Sequence, residues 1–222
     1  MKISLVFTST TSLLAFLAIC PSMNGQGTLQ NLNFEQAHPG PLTGDPPSAA
    51  NVPVTSALPS WSVFYGSVRQ SYINVNAPST GAPAVTLIAP GGGPIDGNYS
   101  VLLQASGPGV SISQSSTIPS GTQTLFFEAQ PGFGSLNVLI GTQIVPIVAV
   151  GSGTDYTLYG ANVSAWAGSP ELLTFSALGD LSQPNNWELD DISFSAVPEP
   201  GIVALTAIGG LLFSARKWFA RR

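Results

Sequence analysis

Between Leu29 and Ser195 the apolar residues alternate with polar ones in short runs, and no stretch of ten or more residues keeps the helical period. The runs are rich in Val, Ile, Leu, Thr, Tyr and Phe and are punctuated by Gly, Pro, Ser and Asn. They predict strands at Leu29–Glu35, Trp61–Tyr65, Ser71–Val75, Ala84–Ala89, Tyr99–Gln104, Val110–Gln114, Gln123–Ala129, Leu136–Ile140, Ile144–Val150, Tyr156–Ser164, Leu172–Ala177 and Glu188–Ser195. About a dozen strands so spaced imply an all-β fold, a two-sheet β-sandwich of the jelly-roll kind. Pro146 lies inside one apolar run and belongs on an edge strand, because it cannot donate to a ladder. Residues 38–60, with His38-Pro39-Gly40-Pro41 and Asp45-Pro46-Pro47, read as a long ordered loop or insertion.

The hydropathy pattern changes at both ends. Lys2 precedes an uncharged, mostly apolar run from Ile3 to Ile19, and Pro21, Ser22 and Asn24-Gly25 break it. That is the layout of a secretion signal over residues 1–25, cleaved after Gly25. Leu17-Ala18-Ile19-Cys20 resembles a lipobox, but Ile19 stands where that motif takes a small residue. The β domain then occupies 26–197. Beyond it, Ile202 to Ala215 carries no charge and spans ~21 Å as a helix. Extended to Phe219, with Arg216 and Lys217 snorkelling, residues 202–219 reach ~27 Å, enough for a tilted or thinned crossing. Arg216, Lys217, Arg221 and Arg222 are expected to stay cytoplasmic and leave the domain outside.

Charge sharpens the division. Five of the six basic residues lie in the terminal segments. From Gln26 to Val197 there are ten acids against Arg69 alone, so the domain carries −9. Such a surface repels phosphate backbones and excludes nucleic acid as a partner. It suits a neutral glycan, a cation or plain solubility. Cys20 is the only cysteine, so the domain has no internal disulfide.

Pro198-Glu199-Pro200, a short apolar span and a terminal Arg cluster resemble the PEP-CTERM sorting domain of Gram-negative bacteria, over about the last 25 residues. The resemblance implies an exosortase-type processing enzyme as partner, passage through the inner membrane, and delivery to the cell surface or extracellular matrix. A second resemblance rests on Asn31-Leu32-Asn33-Phe34-Glu35, Gly97-Asn98-Tyr99-Ser100 and Trp187-Glu188-Leu189-Asp190-Asp191-Ile192-Ser193-Phe194. These look like galactose-binding-like jelly rolls such as family-4 and family-22 carbohydrate-binding modules. In that family the first and last strands pair, and the first-strand acid with the closing Asp pair often borders a structural Ca²⁺.

The Asp pair has a reading of its own. Trp187 and Leu189 share one strand face whereas Ile192 and Phe194 share the other, so parity switches across Asp190-Asp191 as at a β-bulge. A bulge turns one carboxylate inward, where it needs a cation or several backbone donors. Glu35, Asp190 and Asp191 are the candidate ligands of a structural calcium ion; two solvated aspartates at a strand edge are the alternative.

Enzymatic chemistry finds little support. His38 is the sole histidine, and Gly91-Gly92-Gly93 lacks the Lys-Ser/Thr of a phosphate loop. Glu35, Glu128, Glu171 and Glu188 contain no pair singled out for glycoside hydrolysis. Sugar binding asks for flat rings, for which Trp61, Tyr65, Tyr72, Phe133 and Trp166 are candidates, Trp166 foremost because it follows a strand end. The expectation is a non-catalytic surface or matrix protein that binds extracellular polysaccharide. The alternative is a purely structural or adhesive component, with a glycan-active hydrolase behind both.

Overall fold

A computed structural model describes residues 29–79, 81–179 and 185–195, so the signal segment, the sorting motif Pro198-Glu199-Pro200 and the cations Arg216, Lys217, Arg221 and Arg222 lie outside the described residues. Its elements are β1 (Ala49–Pro53), α1 (Val54–Ala57), β2 (Ser62–Tyr65), β3 (Val68–Gln70), β4 (Tyr72–Val75), β5 (Ala84–Ile88), β6 (Ser100–Ala105) and β7 (Val110–Thr117). There follow β8 (Thr124–Pro131), β9 (Leu136–Ile140), β10 (Gln143–Val145), β11 (Val148–Ser152), β12 (Thr157–Asn162), a 3₁₀ turn (Ser164–Trp166), β13 (Pro170–Ala177) and β14 (Asn185–Ser195). They form an eight-stranded sheet in the order β1-β4-β5-β6-β14-β8-β12-β11 and a six-stranded sheet in the order β10-β9-β13-β7-β2-β3. All pairings are antiparallel except β4 with β5. The all-β, two-sheet expectation therefore holds. Among the described residues no helix is long and apolar enough to cross a membrane.

Period 2 builds the core. Leu125, Phe127 and Ala129 of β8, Leu189 of β14 and Val101 and Leu103 of β6 face Ile112 of β7, Leu173 and Phe175 of β13 and Val138 of β9, all buried. Aromatic rings thread this layer. Phe34, Trp61, Phe175, Phe127, Tyr159 and Trp187 form one run, with successive centroids 5.9, 6.4, 5.2, 5.5 and 5.7 Å apart. Most of these contacts are tilted or edge-on, as the ring quadrupole prefers, and Phe127–Tyr159 is stacked.

Three expectations need correction. Leu29–Glu35 is a turn and not a strand: Asn31 and Phe34 take left-handed φ of 52° and 57°. The Asn31 side chain accepts from Gln36 N at 2.9 Å and donates to Pro59 O at 3.1 Å, closing the backbone on itself. The Leu-Asn-Phe alternation imitated a strand because Leu32 and Phe34 both still reach the core. In consequence the first and last strands do not pair. β14 lies between β6 and β8, and the opening segment reaches it by Ile192 N donating to Leu32 O at 3.0 Å. Thirdly, Ile144–Val150 is not one strand but parts of two, β10 and β11, while residues 38–60, the expected ordered loop or insertion, carry β1 and α1. Pro146 sits between β10 and β11, where the chain passes from the edge of one sheet to the edge of the other.

Candidate functional site

At one end of the sandwich the three motifs singled out in the sequence come together. Glu35 Oε1 accepts from Asn98 N at 2.6 Å and Tyr99 N at 2.9 Å, and Oε2 accepts from Asn98 Nδ2 at 3.0 Å. Burial pushes the Glu35 carboxyl up, but these donors outweigh it and hold the pKa below the ordinary value. Gly97, with φ of +59°, makes the approach feasible, since a Cβ there would collide with Glu35 Oε1. One residue earlier, Asp96 N donates to Asp190 Oδ2 at 3.1 Å.

The expected bulge is present. The β14–β8 register slips between Asp190↔Glu128 and Ser193↔Phe126, and Asp191 takes φ of 42°. Asp190 is 1% exposed, while Asp191 faces solvent. The buried carboxylate has two backbone donors, Asp96 N and Asp191 N (to Oδ1, 2.7 Å). They do not offset its desolvation, to which Asp191 and Asp96 add repulsion, and its pKa is pushed up to about 8. Across the strand, Glu128 is also raised, by burial first and then by Asp191 and Asp96; it accepts the Tyr156 hydroxyl, and its Oε2 is buried without a partner. Glu188 is raised by burial against the Ser100 hydroxyl bond.

This donor set has the chemistry of a hard-cation site: carboxylate oxygens in excess and no cationic side chain beside them. The side chains alone do not complete one, because among the described residues no group of three or more His, Cys, Asp or Glu could hold a metal ion. A calcium ion here would be held by Asp190 and Asp191 with backbone carbonyls or water filling the shell, whereas Glu35 gives its oxygens to the 97–99 turn. Nor does the Asp190–Glu128 pair suit glycoside hydrolysis, since Asp190 is shut away from any sugar.

The open surface lies on the other sheet. Strand registers align two rows across the outer face of the six-stranded sheet: Arg69–Phe64–Ser111–Ser176–Asn137, and Ser62–Ser113–Thr174–Leu139–Ile144. A depression of about 430 Å³ runs over these rows, lined by Ser60, Ser62, Phe64, Ser111, Ser113, Gln114, Ser115, Leu172 and Thr174. That volume falls in the range of small-molecule sites. Phe64 is half-buried within it, an apolar ring ringed by hydroxyls. Sequence reasoning passed over this residue, although alternation in Trp61–Tyr65 puts Phe64 opposite the core-facing Val63, and Val110-Ser111-Ile112-Ser113 marks the same open face. Of the aromatics considered, Trp61 is core, as expected of a ring on an apolar strand, and Tyr72 and Phe133 are exposed. Trp166 lies on the 3₁₀ turn after β12, partly buried against the core and outside the lining of this depression.

The chain matches no protein-family model and no curated protein sequence. It is similar to a family 11 carbohydrate-binding module from Clostridium thermocellum in complex with a β-1,3-1,4-mixed-linked tetrasaccharide, at 7% identity over 68% of this chain and 98% of that one, TM-score 0.36. It is also similar to TmCBM61 in complex with β-1,4-galactotriose, at 14% identity over 78% and 99%, TM-score 0.33. A third similarity is to the enzymatically active domain of bacteriophage CBA120 tailspike protein 4, at 10% identity, TM-score 0.36, covering 62% of this chain and only 19% of the phage chain. Likenesses this distant leave the ligand to be argued from the site itself.

Proposed function

We propose that this protein is an exported, membrane-sorted surface or matrix component whose β-sandwich binds extracellular polysaccharide without catalysing its cleavage. The observation that carries the binding reading is the depression on the six-stranded sheet, where hydroxyls flank the Phe64 ring on an almost uncharged face. A sugar ring presents an apolar C–H face to stack and hydroxyls to exchange with serines, and Phe64 with Ser62, Ser111 and Ser113 matches both demands. Titrating the full chain, in mild detergent, against a panel of glycans is the test. Phe64→Ala is expected to weaken binding about tenfold or more while leaving the melting temperature unchanged within a few degrees. Uniform absence of binding across the panel would leave the second reading, a structural or adhesive component, which the scarcity of rings among the Ser/Thr/Asn rows favours.

The sorting half of the proposal rests on Pro198-Glu199-Pro200, the apolar span from Ile202 and the four terminal cations. The prolines stop the last strand and hold the segment extended for an exosortase-type enzyme; the span places it at the inner membrane, and the cations orient it. Deleting residues 198–222 is expected to release the domain into the periplasm, read by fractionation of the native host. Unchanged surface delivery of the truncated chain would end this assignment. Calcium at Asp190 and Asp191 is the third element, motivated by the buried, cation-free carboxylates of the bulge.

A further inference from the structure

We infer that Arg69 gives the open face its selectivity, by recognising an acidic sugar unit, a uronate carboxylate, within the bound polysaccharide. The inference rests on the glycan-binding reading of that face. Arg69 is the only Lys or Arg among the described residues, and its guanidinium makes no ion pair with any of them despite nine described carboxylates. It lies directly across from Phe64 in the β2–β3 register, and Nη2 donates to Ser62 Oγ at 3.3 Å. Ser62 and Phe64 both line the depression, so the charge stands at its rim beside the stacking ring. Cross-strand neighbours are about 5 Å apart at Cβ, close to the breadth of one sugar ring. A ring stacked on Phe64 would carry its carboxylate to the guanidinium, whose planar fork pairs with both oxygens.

The domain's charge of −9 argues against an acidic ligand only if that charge is spread evenly, and it is not. The strands of the six-stranded sheet hold Arg69 and Glu171 and no other charged residue. Glu128, Glu188, Asp190 and Asp191 belong to the other sheet. These acids therefore lie across the packed core from Arg69 and not beside it on the open face. Among the described residues Arg69 is the sole cation of this face, and its guanidinium donates to the neutral Ser62 hydroxyl.

The probe pair is an oligogalacturonate and its carboxyl-reduced counterpart, titrated into the full chain by calorimetry. The unaltered protein is expected to bind the acidic form at least tenfold tighter than the reduced form. Arg69→Gln should bring the two affinities together, and Arg69→Lys should keep part of the preference as a point charge. Equal affinity of the unaltered protein for both forms, or a preference that survives Arg69→Gln, overturns the inference and leaves glycan binding standing. Failure to bind either form, together with failure across the neutral glycan panel, overturns both.

Discussion

Phe175→Ala is expected to destabilise the domain by about 3–5 kcal/mol, the cost of removing a fully buried phenyl ring from a core that only partly collapses. Phe175 is 0% exposed and touches two rings, Trp61 just before β2 at 6.4 Å and Phe127 of β8 in the facing sheet at 5.2 Å between centroids. Its loss opens a cavity and also divides the aromatic run that joins the two sheets. Since domains of this kind hold about 5–15 kcal/mol in reserve, the variant should lie near its unfolding threshold. Urea unfolding followed by tryptophan emission measures it, with Trp61 beside Phe175 and Trp187 at the far end of the run. Phe133→Ala is the control: at 64% exposure it should shift stability by no more than about 0.5 kcal/mol. Comparable losses for the two variants would mean that the aromatic run does not organise the core.

The second large effect concerns pH and calcium at Asp190. Its folded-state pKa of about 8 stands far above the ordinary 3.8, so the folded protein keeps a proton that the unfolded chain releases. With chelator present, this contribution is complete in acid, falls as pH rises through the window between those values, and is flat above it. The slope for one such group is about 1.4 kcal/mol per pH unit, which sums to a few kcal/mol over the window. Glu128 and Glu188, also raised, add in the same direction, whereas Glu35, lowered, loses its contribution as the solution is acidified. Asp190→Asn should flatten the curve, and the slope rather than the absolute level is the readout, because the amide cannot accept from both Asp96 N and Asp191 N as the carboxylate does. Calcium in millimolar amounts should raise the melting temperature on the alkaline side, where the ionised carboxylates gain a cation, and do little in acid. Identical melting temperatures with calcium and with chelator at pH 8 would remove the metal proposal and leave the proton account intact.

The strands whose apolar residues alternate over five or more positions, such as β8 and β13, were legible in the sequence because one face is dry and the other wet. The bulge was legible for the same reason: a change of parity is visible wherever both flanks have a buried face. Leu29–Glu35 misled because asparagine can close a turn by side-chain bonds to sequence-distant backbone, Pro59 among them, which periodicity does not encode. β1 and β3 escaped notice because their residues are mostly exposed and therefore leave no apolar signature. Phe64 and Arg69 are separated from Ser111 by some forty residues of chain and become neighbours only through strand order. A site made by register across three strands cannot be read from spacing along one.

The place of β14 has a consequence for the life of the chain before it is folded. β14 is the last of the described strands to be synthesised, yet it fills the centre of the eight-stranded sheet, with β6 on one flank and β8 on the other. Until residues 185–195 have left the ribosome, β1-β4-β5-β6 and β8-β12-β11 are two fragments with open edges and no common ladder. The eight-stranded sheet therefore cannot close before β14 has emerged, although every strand of the six-stranded sheet precedes it in the chain. Any apparatus that must thread an extended polypeptide, and any chaperone that guards one, has that entire interval in which to engage it.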